Sequence, residues 1–231
     1  MKTLGLIGGI SWESTAHYYT RINQLVAASL GGLHSAQLLM YSVEFDAIQR
    51  LQHADDWQEL ARIFTGIARR LEQGGAEGLV ICANTMHILA EEIAEAVSIP
   101  LIHIAEATAM AAQDVDIKSV ALLSTRFTME KDFYRRELED NGLRVFVPDE
   151  DERNELHRII YEELCRGIIN PDSKDTFYKV VERLAKAGAA GAALACTEFT
   201  LIADPARSRI PLLDTTEIHA RAAVDWMLGR E

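Results

Sequence analysis

The chain has 231 residues, of which 48% are hydrophobic and 25% charged, and its formal net charge is −12 at pH 7. This length fits one domain or two small ones, and the composition is typical of a globular protein with a sizeable core. The acidic balance argues against nucleic acid and membrane as partners, because both need basic patches. The N-terminal MKTLGLIGGIS is typical of a first strand and turn, not of a signal peptide.

Short, nearly continuous apolar runs predict six strands, at 3–7, 36–42, 78–82, 119–123, 144–147 and 191–195. Stretches with helical spacing predict helices at 13–29, 57–73, 86–96, 128–141, 151–167, 173–187 and 215–228. Continuous apolarity is what parallel strands covered on both faces require. The alternation of strands and helices predicts open α/β sheets.

Two stretches of the sequence recur in the same order. GGAEGLVICANTMH (74–87) matches AGAAGAALACTEFT (187–200) at an offset of 113, and KTLGLIGG (2–9) matches KSVALLST (118–125) at an offset of 116. Two matches at nearly equal spacing predict a duplicated α/β unit. We expect a first domain over 1–106, completed by the segment 209–231, and a second domain over 107–208.

Polar loops follow the strands of both predicted halves, at 8–14, 83–87, 124–128 and 196–200. Ligands bind α/β sheets at the carboxyl ends of the strands, so we expect these loops to surround a cleft shared by the two domains. Their Gly, Ser, Thr and Asn residues offer backbone N–H groups and hydroxyls that suit a carboxylate.

Four motifs, GLIGGISWEST, ANTMH, LLSTRFTM and ACTEF, together resemble the cofactor-independent aspartate/glutamate racemase superfamily over essentially the whole chain. Within it the chain is most similar to bacterial aspartate and broad-specificity amino-acid racemases. The resemblance implies two pseudo-symmetric, Rossmann-like αβα domains with the active site in the cleft between them. It also implies an amino-acid substrate, a homodimer, and no pyridoxal phosphate or other cofactor.

The resemblance further implies two cysteines, one from each domain, acting on opposite faces of the substrate α-carbon. Removal of the weakly acidic α-proton needs a base and stabilisation of the carboxylate as it becomes enolate-like. Inversion requires that the new proton arrive from the other face. A thiol with a pKa of about 8.5 can serve as acid or base, and a helix N-terminus would lower that pKa.

The two cysteine positions differ in this sequence. Cys196 directly precedes Thr197 and Glu198, as the family pattern requires, and is the candidate catalytic thiol. Ala83 stands where the first thiol would precede the Asn-Thr pair, and Cys82 lies one residue upstream. A shift of one residue in a strand turns the side chain to the opposite face, so we expect Cys82 in the packing layer. The alternative is a bent strand end that brings Cys82 into the cleft.

Several other residues are candidates for the site. The expected substrate-binding residues are Ser11, Ala83, Asn84, Thr85, Thr125, Thr197 and Glu198. His87 is a candidate general acid, with a structural or helix-terminus role as the alternative. We interpret Cys165 and His103 as packing residues, and Trp12 as either packing or a lid. The sequence contains no CxxC or HExxH motif, so we expect no metal site.

Acid-specific relatives resemble one another in an Arg and a Lys that hold the distal carboxylate. Those positions fall near Ala47 and on Cys165 here, and Arg50 and Arg166 are unaligned substitutes. A neutral or differently charged substrate side chain is therefore credible, while aspartate and glutamate stay open.

The leading hypothesis is an amino-acid racemase in which Cys196 moves the α-proton and a water or His87 replaces the missing thiol. The odd number of cysteines indicates free thiols, and hence a cytoplasmic protein. Two other functions stay open. One is a single-thiol decarboxylase or another isomerase of the superfamily, and the other is a non-catalytic amino-acid-binding protein.

Overall fold

The computed structural model describes residues 1–230, so Glu231, the end of the predicted segment 209–231, lies outside the described residues. The chain divides into two compact units. The first contains Met1–Ile104 and the chain from His219 onward, and the second contains Ala105–Ile218. In the described part of the chain, no helix has the length and apolar composition needed to cross a membrane.

The first unit is built on a three-stranded parallel sheet. Its strands are β1 (Leu4–Gly8), β2 (Leu38–Ser42) and β3 (Gly78–Ile81), in the order β2-β1-β3. Its helices are α1 (Trp12–Leu30), α2 (Phe45–His53), α3 (Trp57–Gln73) and α4 (Ala90–Ala96), and a 3-10 helix (Thr85–Leu89) precedes α4. Two further helices, α5 (Ile104–Asp114) and α10 (Thr215–Leu228), each contain residues of both units.

Both faces of the first sheet are covered by helices. On one face Ile7, Leu79 and Ile81 pack in a core cluster that includes residues of α3. On the other face Leu6 and Val80 pack with residues of α1 and α10. Because neighbouring strand residues point to opposite faces, a strand buried on both sides has to be apolar throughout. This explains the continuous apolar runs in the sequence.

The second unit is built on a four-stranded parallel sheet. Its strands are β4 (Ser119–Leu123), β5 (Arg144–Phe146), β6 (Gly191–Leu194) and β7 (Leu212–Asp214), in the order β5-β4-β6-β7. Its α-helices are α6 (Arg126–Glu130), α7 (Asp132–Asp140), α8 (Glu150–Arg158) and α9 (Pro171–Ala187). Shorter helical turns are Ile159–Glu163 (a π-helix) and the 3-10 helices Leu164–Arg166, Thr197–Leu201 and Pro205–Arg207.

Local sequence signals explain where two of these helices begin. At α8 the Asp149 side chain accepts from the Glu152 N–H, and the Glu152 side chain accepts from the Asp149 N–H. This capping box satisfies backbone donors that the first helical turn leaves without partners. At α9 the side chain of Asn170 accepts from the backbone of Asp172, and Pro171 occupies the first turn. Pro is favoured there because its missing N–H costs no helical hydrogen bond.

The six predicted strands are confirmed to within a few residues, whereas α2, α5 and β7 were missed. The single helix predicted over 151–167 is wrong in detail, because regular α-helix ends at Arg158 and a π-helix follows. The segment 209–231 was assigned to the first domain, and β7 corrects this. β7 pairs with β6, so the chain joins the first unit only from His219 onward.

The strand register confirms the internal repeat. Gly78 pairs with Leu4 in the first sheet, and Gly191 pairs with Val120 in the second, which reproduces both sequence offsets. The hydrogen bonds continue in step, since Cys82 N–H donates to Ile7 and Ala195 N–H donates to Leu123, at 2.9 and 2.8 Å. Cys82 is therefore the structural equivalent of Ala195, and Ala83 is the equivalent of Cys196.

Candidate active site

Cys196 lies two residues after the end of β6 and is the N-cap of the 3-10 helix that begins at Thr197. The residue is 7% exposed. Its Sγ donates to Glu198 Oε2 at 3.0 Å, and Thr197 Oγ1 donates to the same oxygen at 2.9 Å. The three consecutive residues thus form one hydrogen-bonded group centred on the Glu198 carboxylate.

The surroundings of Cys196 favour its protonated form. Burial raises the pKa of the thiol well above its ordinary value, and the negative charge and hydrogen bond of Glu198 raise it further. A backbone hydrogen bond from Glu198 lowers the pKa, but its effect is the smallest of these. The start of the helix therefore lowers the pKa of Cys196 as expected, but burial and the Glu198 carboxylate outweigh this effect, so the net pKa is raised.

Two side chains near Cys196 were not identified as neighbours from the sequence. Burial raises the pKa of the Tyr161 phenol, and the charges of Cys196, Cys165 and Glu198 raise it further. Tyr161 lies in the π-helix, which breaks the 3.6-residue period on which a helical projection depends. Cys165 is exposed, so its interpretation as a packing residue is wrong.

The loop after β4 lies at the same edge of the second sheet as Cys196, because β4 and β6 are parallel neighbours. Ser124 Oγ donates to the Ala195 carbonyl at 2.5 Å and ties the two loops together. Thr125 is buried at the start of α6, with its hydroxyl oxygen 3.3 Å from that of Thr128. The second unit therefore brings the predicted residues Thr125, Thr197 and Glu198 to one edge of its sheet.

In the first unit the equivalent strand end has no thiol in the loop. Ala83 is partly buried and packs on the same side of the sheet as Ile81. Cys82 is fully buried in the opposite cluster, with Leu6, Tyr18 and Val80. Burial raises the pKa of the Cys82 thiol. The alternative in which a bent strand end turns Cys82 outward is therefore wrong, and with it the role of Cys82 as a candidate catalytic residue.

The other predicted residues of the first unit lie in the loops after β1 and β3, which end at the same edge of the sheet. Asn84 is buried and Thr85 is partly buried at the start of its 3-10 helix. Ser11 is the N-cap of α1 and accepts from the Ser14 N–H at 3.4 Å. Trp12 is 68% exposed, which contradicts a packing role.

His87 is 2% exposed, and both of its ring nitrogens contact the backbone. Nδ1 lies 2.9 Å from the Ala83 carbonyl oxygen, and Nε2 accepts from the Ile104 N–H at 3.3 Å. Because a carbonyl only accepts, we assign the ring proton to Nδ1. Burial lowers the pKa of His87 well below its ordinary value. The interpretation of His87 as a general acid is therefore contradicted, and its alternative role at a helix terminus fits the geometry.

His103 differs from the predicted core histidine because it is only partly buried. Among residues 1–230 there is no cluster of three or more His, Cys, Asp or Glu that could hold a metal ion. Arg50 and Arg166, the alternative candidates for binding a distal carboxylate of the substrate, are on the surface. Arg50 pairs with Asp46 at 3.0 Å, both side chains being largely exposed, and Arg166 is exposed.

Comparisons with known proteins agree on one family. Residues 7–223 match the Asp/Glu/hydantoin racemase family. The broad-specificity amino-acid racemase RacX of Bacillus subtilis (strain 168) is 24% identical, with 98% of each chain aligned. A crystal structure of an Asp/Glu racemase candidate from Yersinia pestis is 48% identical, with a TM-score of 0.95 over 99% of this chain and 100% of that one.

An aspartate racemase homologue from Pyrococcus horikoshii OT3 is 31% identical. Its TM-score is 0.87, over 99% of this chain and 100% of that one. The family match covers most of the sequence, and the structural matches cover nearly all of it. This chain belongs to the Asp/Glu/hydantoin racemase family.

Proposed function

We propose that the protein is a cofactor-independent amino-acid racemase, cytoplasmic and homodimeric, in which Cys196 removes and returns the α-proton. The observation that carries the proposal is the contact between Cys196 Sγ and Glu198 Oε2 at the end of β6. It supplies a thiol and, 3.0 Å away, a carboxylate that can take the thiol proton. The similarity to RacX, a racemase of broad specificity, supports an amino acid as the substrate class.

The proposed step begins with transfer of the Sγ proton to Glu198, which leaves a thiolate and a carboxylic acid. The thiolate then takes the α-proton and becomes a thiol again, while the substrate carries the electron pair as an enolate-like carboxylate. Return of the proton from Sγ reverses the step. The raised pKa of Cys196 makes its thiolate rare but strongly basic, which favours transfer of a weakly acidic proton.

Thr125 and Thr197 are the proposed hydroxyl ligands of the substrate in the second unit. Both lie at the edge of the sheet that carries Cys196. In the first unit the proposed ligands are Ser11, Asn84 and Thr85. Hydroxyl and amide donors near a developing enolate lower its free energy, and such donors typically act on the order of 10²–10³-fold in rate.

Ala83 determines how we expect the second face of the α-carbon to receive its proton. A methyl group holds no exchangeable proton, and His87 has its proton committed to a backbone carbonyl. The proton that inverts the α-carbon therefore comes from water. Losing one general acid or base costs on the order of 10²–10⁴-fold. We therefore expect exchange of the α-proton with retention to be faster than inversion.

The test is α-proton exchange in D₂O, followed by NMR, with a panel of L- and D-amino acids that includes Asp, Glu and homoserine. Chirality is read at the end of each reaction, and Cys196→Ala is the control. The proposal predicts deuterium incorporation that disappears in the control. No exchange with any amino acid that demonstrably binds, or equal exchange in Cys196→Ala, would contradict it.

The same observation at Ala83 supports a second candidate, a decarboxylase. A single thiol can protonate a planar intermediate from one face only, which yields one enantiomer. Disubstituted malonates test this, because carbon dioxide release with a chiral product would replace racemisation as the activity. Tight amino-acid binding without exchange or decarboxylation would instead indicate a binding protein.

A further inference from the structure

Three histidines and a tyrosine lie together in the first unit. The ring of His87 is 4.7 Å from that of His103 and 5.5 Å from that of His219, and Tyr18 packs edge-on against His219 at 5.6 Å. His87 and His219 are buried, as is Tyr18. These aromatic rings come from four separate parts of the chain. We refer to Tyr18, His87, His103 and His219 as the histidine cluster.

The hydrogen bonds of the histidine cluster run in defined directions. His219 Nε2 lies 2.8 Å from the Ile102 carbonyl, so this nitrogen carries the proton. Its Nδ1 then accepts from the Tyr18 hydroxyl, also at 2.8 Å. His219 therefore resembles His87, in which Nδ1 donates to a carbonyl and Nε2 accepts. Both imidazoles are neutral, and each ring nitrogen has a partner.

These bonds connect the loop after β3 with the segment that leads into α5. His219 holds the carbonyl of Ile102 and His87 holds the N–H of Ile104, so the backbone on both sides of His103 is fixed. The other nitrogen of His87 holds the carbonyl of Ala83, at the position equivalent to the catalytic thiol. One buried ring therefore joins the loop to the first residue of a helix.

We propose that His87 is a positioning residue, which fixes the peptide between Ala83 and Asn84 and thereby the substrate-binding loop. The inference rests on the proposed function. A trans peptide is planar, with its C=O and N–H pointing in opposite directions, and the only cis bond among the described residues is Ile10–Ser11. By holding the Ala83 carbonyl, His87 sets the direction of the Asn84 N–H and the entry into the 3-10 helix at Thr85.

The role requires a neutral ring. A proton on Nε2 would face the Ile104 N–H, and two donors cannot share that contact. The rings packed against His87 are those of His103 and His219, and each of these two histidines disfavours a charge on it. His87 therefore stays neutral in the range where the enzyme would work, and activity should not follow its titration.

The test compares His87→Asn with His87→Leu, two γ-branched side chains of similar shape. Asn keeps an N–H near the place of Nδ1, whereas Leu removes both hydrogen bonds. Misplaced groups cost on the order of 10²-fold in rate. We expect kcat/KM for α-proton exchange to fall by about that factor in His87→Leu, and to stay within about fivefold of the wild type in His87→Asn.

Thermal unfolding of both variants and the pH profile of exchange complete the experiment. The inference predicts that His87→Asn has the same pH profile as the wild type. Unchanged exchange in His87→Leu would overturn it, and so would equal loss in both folded variants, which would indicate direct proton transfer by the ring. If His87→Leu does not fold, the rate of α-proton exchange and the pH profile of His87→Asn decide whether the inference stands. Absence of exchange in the wild type itself would be a failure of the proposed function, not of this inference.

Discussion

The loops after β3 and β6 have the same backbone register and different chemistry. After β6, Cys196 directs its thiol to the Glu198 carboxylate at 3.0 Å. After β3 the equivalent residue is Ala83, and the nearby thiol of Cys82 lies in the core on the other side of the sheet. Because strand side chains alternate between faces, a displacement of one residue removes a thiol from the loop without disturbing the fold. Register therefore decides which cysteine can act.

The strongest test of this comparison replaces each thiol in turn. Cys196→Ala should lower α-proton exchange on the order of 10³-fold, because it removes the acid/base group. Cys82→Ala should keep the exchange rate within about threefold of the wild-type rate. It should also lower the free energy of unfolding by about 1 kcal/mol through lost core packing. Exchange rates in D₂O and urea unfolding measure both effects. A larger loss of activity from Cys82→Ala would reverse the assignment.

The second test makes the two loops alike. Ala83→Cys restores a thiol at the position equivalent to Cys196, and we expect it to raise the rate of inversion relative to exchange by about 10²-fold. The double variant Ala83→Cys/Cys82→Ala controls for a disulfide between neighbouring thiols. Loss of optical rotation, measured beside deuterium incorporation, gives the ratio. A ratio unchanged in both variants would mean that residue 83 does not face the substrate.

The third test concerns the carboxylate that has no acidic counterpart after β3. Glu198→Gln removes a negative charge and a proton acceptor beside Cys196. We expect the pKa of Cys196 to fall, because the charge of Glu198 raises it, while burial still keeps the pKa high. Exchange at neutral pH should drop by about tenfold, less than the roughly 10²-fold minimum for loss of a general base, because the lower pKa of Cys196 offsets part of the loss. Thiolate absorbance against pH follows the shift, and a thiol that titrates at higher pH in Glu198→Gln would contradict the account.

The smallest expected effect concerns the free energy of unfolding, and it comes from three histidines of the first unit. Burial lowers the pKa of His103 and of His219 to about 4, and that of His87 also falls below its ordinary value. The unfolded chain therefore binds protons below a pH of about 6.5 that the folded chain does not. Stability should be full above that pH and fall by about 1 kcal/mol per histidine by a pH of about 5.5.

Urea unfolding between pH 7.5 and 5.5 measures this loss, with His219→Phe as the variant that removes one contribution. His219→Phe is destabilised at all pH values, because it removes the hydrogen bonds of His219 to Tyr18 and Ile102. Its pH dependence should nevertheless be shallower than that of the wild type. An equal slope in the two proteins would show that His219 does not contribute.

Much of the fold could be predicted because its signals are local. The strands are apolar throughout since both sheet faces are buried, and two sequence offsets gave the repeat. The helix α2 was missed because it is short, with only the nine residues FDAIQRLQH, and more than half of them are polar. The strand β7 has only three residues, and its place beside β6 depends on pairing with a distant part of the chain.

The candidate site was predictable where a residue lies within two positions of the end of a strand. Cys196, Ala83 and Cys82 could be placed from register alone, since two-residue alternation is a property of any strand. Tyr161 could not, because it lies in a π-helix, where the 3.6-residue period no longer tells which face a side chain occupies. The role of His87 was equally hidden, since its partner Ile104 is distant in sequence and is recognised only from the hydrogen bond.

The central claim is that one thiol, Cys196, moves the α-proton, while Ala83 leaves the other face without an acid. Its most direct test is the ratio of deuterium incorporation to inversion, measured on the wild-type protein in D₂O with the enantiomer that exchanges faster, which is the one whose α-proton faces Cys196. The account predicts Cys196-dependent incorporation that outpaces inversion by at least about 10²-fold. Equal rates of incorporation and inversion would show a working second acid/base group and would contradict the account.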